Sequence, residues 1–162
     1  MNRNYVENCC LKAPGLAATG GATSTVSFAN TFAVKANGII SADKTTAVIA
    51  TLGGSKGAGN VAVTDLAIGY SRIFTLLATV NATTGAITFS WVHGSDFLTA
   101  RGARKTSDIN FGNPENQDEL KAVVGFVLID NASVGVYVPG TTLLNVAAVN
   151  QQYIDAFGFV GM

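Results

Sequence analysis

The chain has 162 residues, 48% of them hydrophobic and only 12% charged, with ten basic side chains balancing ten acidic ones. This length suits one hydrophobic core and does not force a split into two. A net charge of zero and a pI near 6.5 exclude the basic footprint of a duplex-binding or membrane-surface protein, so neither nucleic acid nor a membrane is an expected partner.

The share of charged residues is roughly half that of an average globular domain, which points to a surface covered by neighbouring chains. Neutrality also removes the repulsion that keeps copies apart. Apolar content sits in Ala and Val rather than Leu, beside 18 Gly and many Thr, Ser and Asn. That usage favours short strands and tight turns over helices. Residues 1–8 hold no apolar leader core, and no stretch reaches the ~20 apolar residues of a membrane-spanning helix. A soluble protein made in the cytosol is expected.

Residues 1–23 read as an extended N-terminal arm: polar at first, then Lys12-Ala13-Pro14-Gly15-Leu16, then a small-residue run containing Gly20-Gly21. Such a segment packs weakly on its own body and is free to lie across a neighbour. Cys9 and Cys10 are adjacent and are the only cysteines. Neighbouring cysteines rarely reach disulfide geometry with each other, which excludes a disulfide scaffold. Reduced thiols are the plain expectation, with an inter-subunit crosslink or a lone metal contact as the functional alternatives.

From Thr25 the apolar period becomes two, through Val26, Phe28, Phe32 and Val34, and Asn37-Gly38 signals a hairpin into Ile39-Ile40-Ser41. A strand over 46–52 leads into a glycine-rich loop from Gly53 to Asn60, and a strand resumes at Val61–Thr64. The clearest hairpin pairs Ser71–Val80 with Ala86–Val92 around the turn Asn81-Ala82-Thr83-Thr84-Gly85. Asn113-Pro114 precedes an expected short helix, Glu115–Lys121, with acidic residues in its first turns. A second hairpin is expected from Ala122–Ile129 through Asp130–Ser133 into Val134–Val138, followed by a helical turn near Leu143–Val149. The pattern predicts an all-β domain over residues 24–162, an antiparallel sandwich or barrel of jelly-roll kind with one or two short helices. It does not order the strands.

Little here carries chemistry. The loop around Lys56 lacks the spacing and the following hydroxyl of a phosphate-binding loop. His93 is the only histidine, and its neighbours Ser90, Ser95 and Asp96 diverge along a strand and turn rather than converge as a triad. One histidine and two adjacent thiols give no zinc spacing. The scattered carboxylates nominate no acid–base pair. No catalytic residue, cofactor or metal site is expected, and the chain reads as a non-enzyme. The run Arg101-Gly102-Ala103-Arg104-Lys105 is a solvated loop or a contact to an acidic patch or phosphate. Asn81-Ala82-Thr83 and Asn131-Ala132-Ser133 match a glycosylation pattern but read as turns. Phe74, Phe89, Trp91, Phe126 and Tyr137 read as core, whereas a sugar-binding platform would need Trp91 or Tyr137 exposed.

The stretch from Ala122 to Asn131 and the run from Tyr137-Val138-Pro139-Gly140 to Val149, together with Ser71–Leu76, resemble small structural proteins of tailed bacteriophages. The resemblance covers about half the chain and includes neither the arm nor the cysteines. It implies a virion location and a decoration (cement) protein that binds the outside of the head, with the major capsid protein as partner and a homotrimer as the favoured oligomer. A tail, neck or fibre subunit is the alternative, and a carbohydrate-binding module the next. Residues expected at an interface are Tyr5, Cys9, Cys10, Leu11, Leu16, Arg101, Arg104, Lys105, Phe157 and Phe159.

Overall fold

In the computed structural model the chain is almost entirely β, and the structure describes residues 8–19, 25–44, 48–49, 55–56, 61–62, 64–99, 121–132, 135–144 and 149–156. The strands are β1 (Cys9–Cys10), β2 (Leu16–Ala18), β3 (Val26–Phe28), β4 (Val34–Ala36), β5 (Ile39–Ile40), β6 (Val48–Ile49), β7 (Ser55–Lys56) and β8 (Val61–Ala62). They continue with β9 (Leu66–Ala67), β10 (Tyr70–Val80), β11 (Ile87–His93), β12 (Phe97–Leu98), β13 (Lys121–Asn131), β14 (Val136–Tyr137) and β15 (Val149–Asp155). No α-helix occurs among the described residues.

The largest sheet runs β15-β13-β10-β11-β7-β8, with β12 also on β10, and three small sheets are β1-β4-β5, β2-β3-β6 and β14-β9. This is a sandwich-like arrangement of several mostly antiparallel sheets. The large sheet is open rather than closed into a barrel. Alternation along β10 puts Arg72, Phe74, Leu76, Ala78 and Val80 on one face, every one of them buried. Opposite them stand Ile129, Val127, Gly125 and Ala122 of β13 and His93, Trp91, Phe89 and Ile87 of β11. Cys10, Leu16, Val26, Phe28, Phe32, Val34, Ala36, Leu66 and Tyr137 close over that face in one continuous apolar cluster.

The hairpin turns follow from their residues. Asn37 and Gly38 both have positive φ (48° and 77°), the mirror-image turn that an Asn-Gly pair adopts most easily, and β4 and β5 pair on either side of it. At the β10–β11 turn the Asn81 side chain accepts from the backbone N–H groups of Thr83 and Thr84, which accounts for this asparagine as a turn residue.

Gly125 governs the core. The register of β13 on β10 slips between Leu76 and Leu77, a bulge that inserts Val124, fully buried, beside Gly125. A Cβ at Gly125 would stand 2.2 Å from Leu16 Cδ1 and 2.7 Å from the Ile154 carbonyl oxygen. The missing side chain is the space that Leu16 fills. The adjoining Asp155 carboxylate accepts from the N–H groups of Gly15 and Leu16, each at 3.0 Å, and Asn8 donates to the Lys121 carbonyl and accepts from Asn37 N–H.

Several expectations change here. Residues 8–19, expected in a weakly packed arm, are part of the body: β1 pairs with β4, β2 pairs with β3, and Asp155 and Asn8 fasten the segment to β15 and β13. The second hairpin does not form, because β10 and β15 occupy both edges of β13; β14 pairs instead with β9. Within the loop expected over 53–60, Ser55–Lys56 is a strand, and it pairs in parallel with β11 at Val92. Of the expected helix 115–121 only Lys121 is described, as the start of β13, and Val149 begins β15 rather than ending a helical turn.

Gly125→Ala should lower stability by ~1–3 kcal/mol through overpacking and Leu16→Ala by ~2–5 kcal/mol through cavity formation. The double variant should lose less than the sum in urea unfolding, because Leu16→Ala removes the closer of the two clashes and leaves only the one with the Ile154 carbonyl. Strict additivity would show that Leu16 is not seated on Gly125.

Candidate functional site

The most elaborate polar construction lies at one end of the sandwich, where β10 begins. Arg72 points from β10 into the core face and is 1% exposed. Its Nε donates to Asp96 Oδ1 at 2.6 Å and its Nη2 to Asp96 Oδ2 at 3.1 Å, a bidentate pair. Nη1 donates to the Thr64 carbonyl, and Nη2 also reaches Thr64 Oγ1 and the Asp65 carbonyl. All three nitrogens of the buried guanidinium thereby have acceptors, and the group holds the segment before β9 and the segment after β11 against β10.

Around it, Asn131 Nδ2 donates to the Leu66 carbonyl, Gly69 N–H donates to the Asn131 carbonyl, and Thr99 N–H donates to the Gly69 carbonyl. The Ser71 and Thr99 hydroxyls meet at 2.6 Å. Gly69 has φ +80°, so the turn Ile68-Gly69 is one that glycine accommodates. The result is a fixed corner on which Ile68, Tyr70, Leu98 and Val136 stand 52%, 37%, 39% and 48% exposed. Tyr70 is the register partner of Leu98, and Val136 is that of Ala67, next to Ile68. Four of the seven large hydrophobic side chains that are exposed among the described residues therefore share one corner.

No known protein family, curated protein or solved structure matches this chain.

The expected interface residues separate in the structure. Cys10 and Leu16 are 1% and 8% exposed and belong to the core, which removes them from any outer surface. Cys9 is half-buried, and Leu11, at 41% exposure, is on the surface. Both thiols are free. Tyr5, Arg101, Arg104, Lys105, Phe157 and Phe159 lie outside the described residues. His93 is 3% exposed with its Nδ1 2.9 Å from the Gly94 carbonyl oxygen, Ser90 is exposed on the other face of β11, and Asp96 is committed to Arg72. These three residues do not converge. Trp91 and Tyr137 are 7% and 0% exposed, so neither offers a sugar a stacking surface. Among the described residues no group of three His, Cys, Asp or Glu side chains is arranged to hold a metal ion.

The sequence reading missed Arg72. The available signal was a single charged residue at an inward position of an otherwise apolar alternation. The corner patch was also missed, because it joins strands that are distant in sequence.

Burial marks three further groups. It pushes the Cys10 thiol from 9.0 up to about 11, with the Asp155 charge adding to the shift. It pushes the Tyr153 hydroxyl from 10.0 up to about 12, and the Tyr137 hydroxyl higher still, where Tyr153 reinforces the rise and Arg72 opposes it. All three are held neutral in the fold. Their contribution to stability is complete below the unfolded values and is lost as pH rises through the folded ones, because the unfolded chain releases these protons first. The urea midpoint should hold steady up to about pH 9 and fall between about pH 9 and 12, and Tyr137→Phe should flatten that fall. At pH 7 the same substitution should change stability by less than about 1 kcal/mol, since the buried Tyr137 hydroxyl has no hydrogen-bond partner among the described residues. An alkaline slope unchanged in Tyr137→Phe would contradict this account.

Proposed function

We propose that this chain is a non-enzymatic structural subunit that works by binding other protein chains, as a decoration component on the outside of a phage head. The observation that carries the assembly reading is the apolar corner of Ile68, Tyr70, Leu98 and Val136, held rigid by the Arg72–Asp96 pair and its surrounding hydrogen bonds. An exposed apolar patch on a fixed scaffold gains most from being covered by another protein. The neutral, charge-poor composition supports a protein occupant over a nucleic acid or a charged membrane surface. The virion part rests on the resemblance of the segments Ser71–Leu76, Ala122–Asn131 and Tyr137–Val149 to small phage structural proteins.

The test is to purify intact particles from the source that encodes the chain and locate the protein by mass spectrometry and immunogold labelling. The protein should be found on the outside of heads. A variant carrying Leu98→Lys and Val136→Lys should fold normally and fail to join the particle, because two exposed charges would be buried unpaired in the contact. A chain found only free of particles, or a double variant that binds as the wild type does, would overturn the proposal.

A further inference from the structure

Two strands bound the large sheet among the described residues. At one end stands β8, of which the two residues Val61–Ala62 are described. At the other stands β15, seven residues long and paired with β13 in an unbroken register from Val149 to Asp155. Its sequence, Val149-Asn150-Gln151-Gln152-Tyr153-Ile154-Asp155, contains no Lys, Pro or Gly, and no bulge interrupts it. Folded proteins ordinarily protect an edge of this length with such devices.

The hydrogen-bond phase of β15 shows what it offers. Ala156 N–H donates to the Val124 carbonyl, which fixes the alternation of the antiparallel ladder. Ile154, Gln152 and Asn150 are then the residues that exchange bonds with β13, and the N–H and C=O groups of Val149, Gln151 and Tyr153 point outward. Among the described residues, no strand pairs with that outer edge. Asn150, Gln152 and Ile154 are exposed on the face away from the core, Ile154 by 48%.

We infer that β15 pairs with β15 of a second copy, antiparallel about a two-fold axis at Gln152, joining two large sheets into one. This deepens the assembly reading and rests on it. The register that uses the whole strand sets Gln151 against Tyr153 of the second copy, so their outward groups exchange backbone bonds in both directions. On the exposed face it sets Gln152 against Gln152, whose amides are self-complementary donors and acceptors, and Asn150 against Ile154. Asp155 falls opposite Val149, so no like charges meet along the pair, and the zero net charge of the chain adds no long-range repulsion. An isologous contact of this kind closes at two copies. It therefore argues for a dimer where the resemblance led to the expectation of a trimer.

The test is sedimentation velocity on the full chain over a wide concentration range, with circular dichroism to confirm folding. The wild type should dimerise reversibly. Gln152→Lys, at an exposed position, should keep the fold and weaken the dimer about tenfold or more by placing like charges face to face. Gln152→Glu should do the same, and an equimolar mixture of the two variant proteins should recover association. Gln151→Pro removes an outward N–H that β13 does not use and should abolish pairing while the monomer stays folded. A wild type that is monomeric throughout, a trimer, or a dimer indifferent to Gln152→Lys and Gln151→Pro would overturn the inference. Particle binding that persists alongside any of those results would leave the assembly reading standing, whereas loss of both would remove both.

Discussion

Because β10 and β13 are paired along nearly their whole length and bury residues on both faces, the elements on the core side are arranged by the need to cover them. Phe74, Leu76, Val124, Val127 and Ile129 face the core, while Ile73 and Leu128 are buried on the opposite side of the same sheet. Strands buried on both sides occupy the middle of a sheet, and their neighbours supply its edges. The small sheets close the core face, and Gly125 sets how near they come by leaving room for Leu16. Residues 8–19 are thus a structural part of the sandwich.

The same constraint places the polar network. Arg72 sits on the inward face of β10 and is enclosed, so its charge must be met within the fold; Asp96 and the carbonyls of Thr64 and Asp65 meet it. Meeting it fixes the loops at that end, and the fixed loops present Ile68, Tyr70, Leu98 and Val136 outward. The surface patch is in this sense a consequence of a buried charge. The edge at β15, unpaired among the described residues, is a consequence of the strand order, since β13 needs a partner on its far side and β15 is that partner.

The parts of the fold legible in the sequence were those decided by neighbours along the chain. Asn37-Gly38 specifies its turn, Asn81 to Gly85 specifies the β10–β11 connection, and the run from Val123 to Ile129 marks a buried strand. Partners distant in sequence were not legible. Nothing near Val136 says that β14 will pair with β9, and Leu16 reads as a surface residue until Gly125 is brought against it. The same holds for the expected interface residues: Cys10 and Leu16 lie in a segment with no obvious place in the core along the chain, but their burial is decided by β13 and β15. The all-β class survived because it depends on composition and alternation, which are local properties.

The most direct measurement of the central claim, that this protein acts through contact with other chains, is amide hydrogen exchange followed residue by residue at low and high protein concentration. The account predicts that the N–H groups of Val149, Gln151 and Tyr153 exchange rapidly in dilute solution and become protected as concentration rises, while those of Asn150, Gln152 and Ile154 are protected throughout. Equal exchange of both sets at every concentration would contradict it.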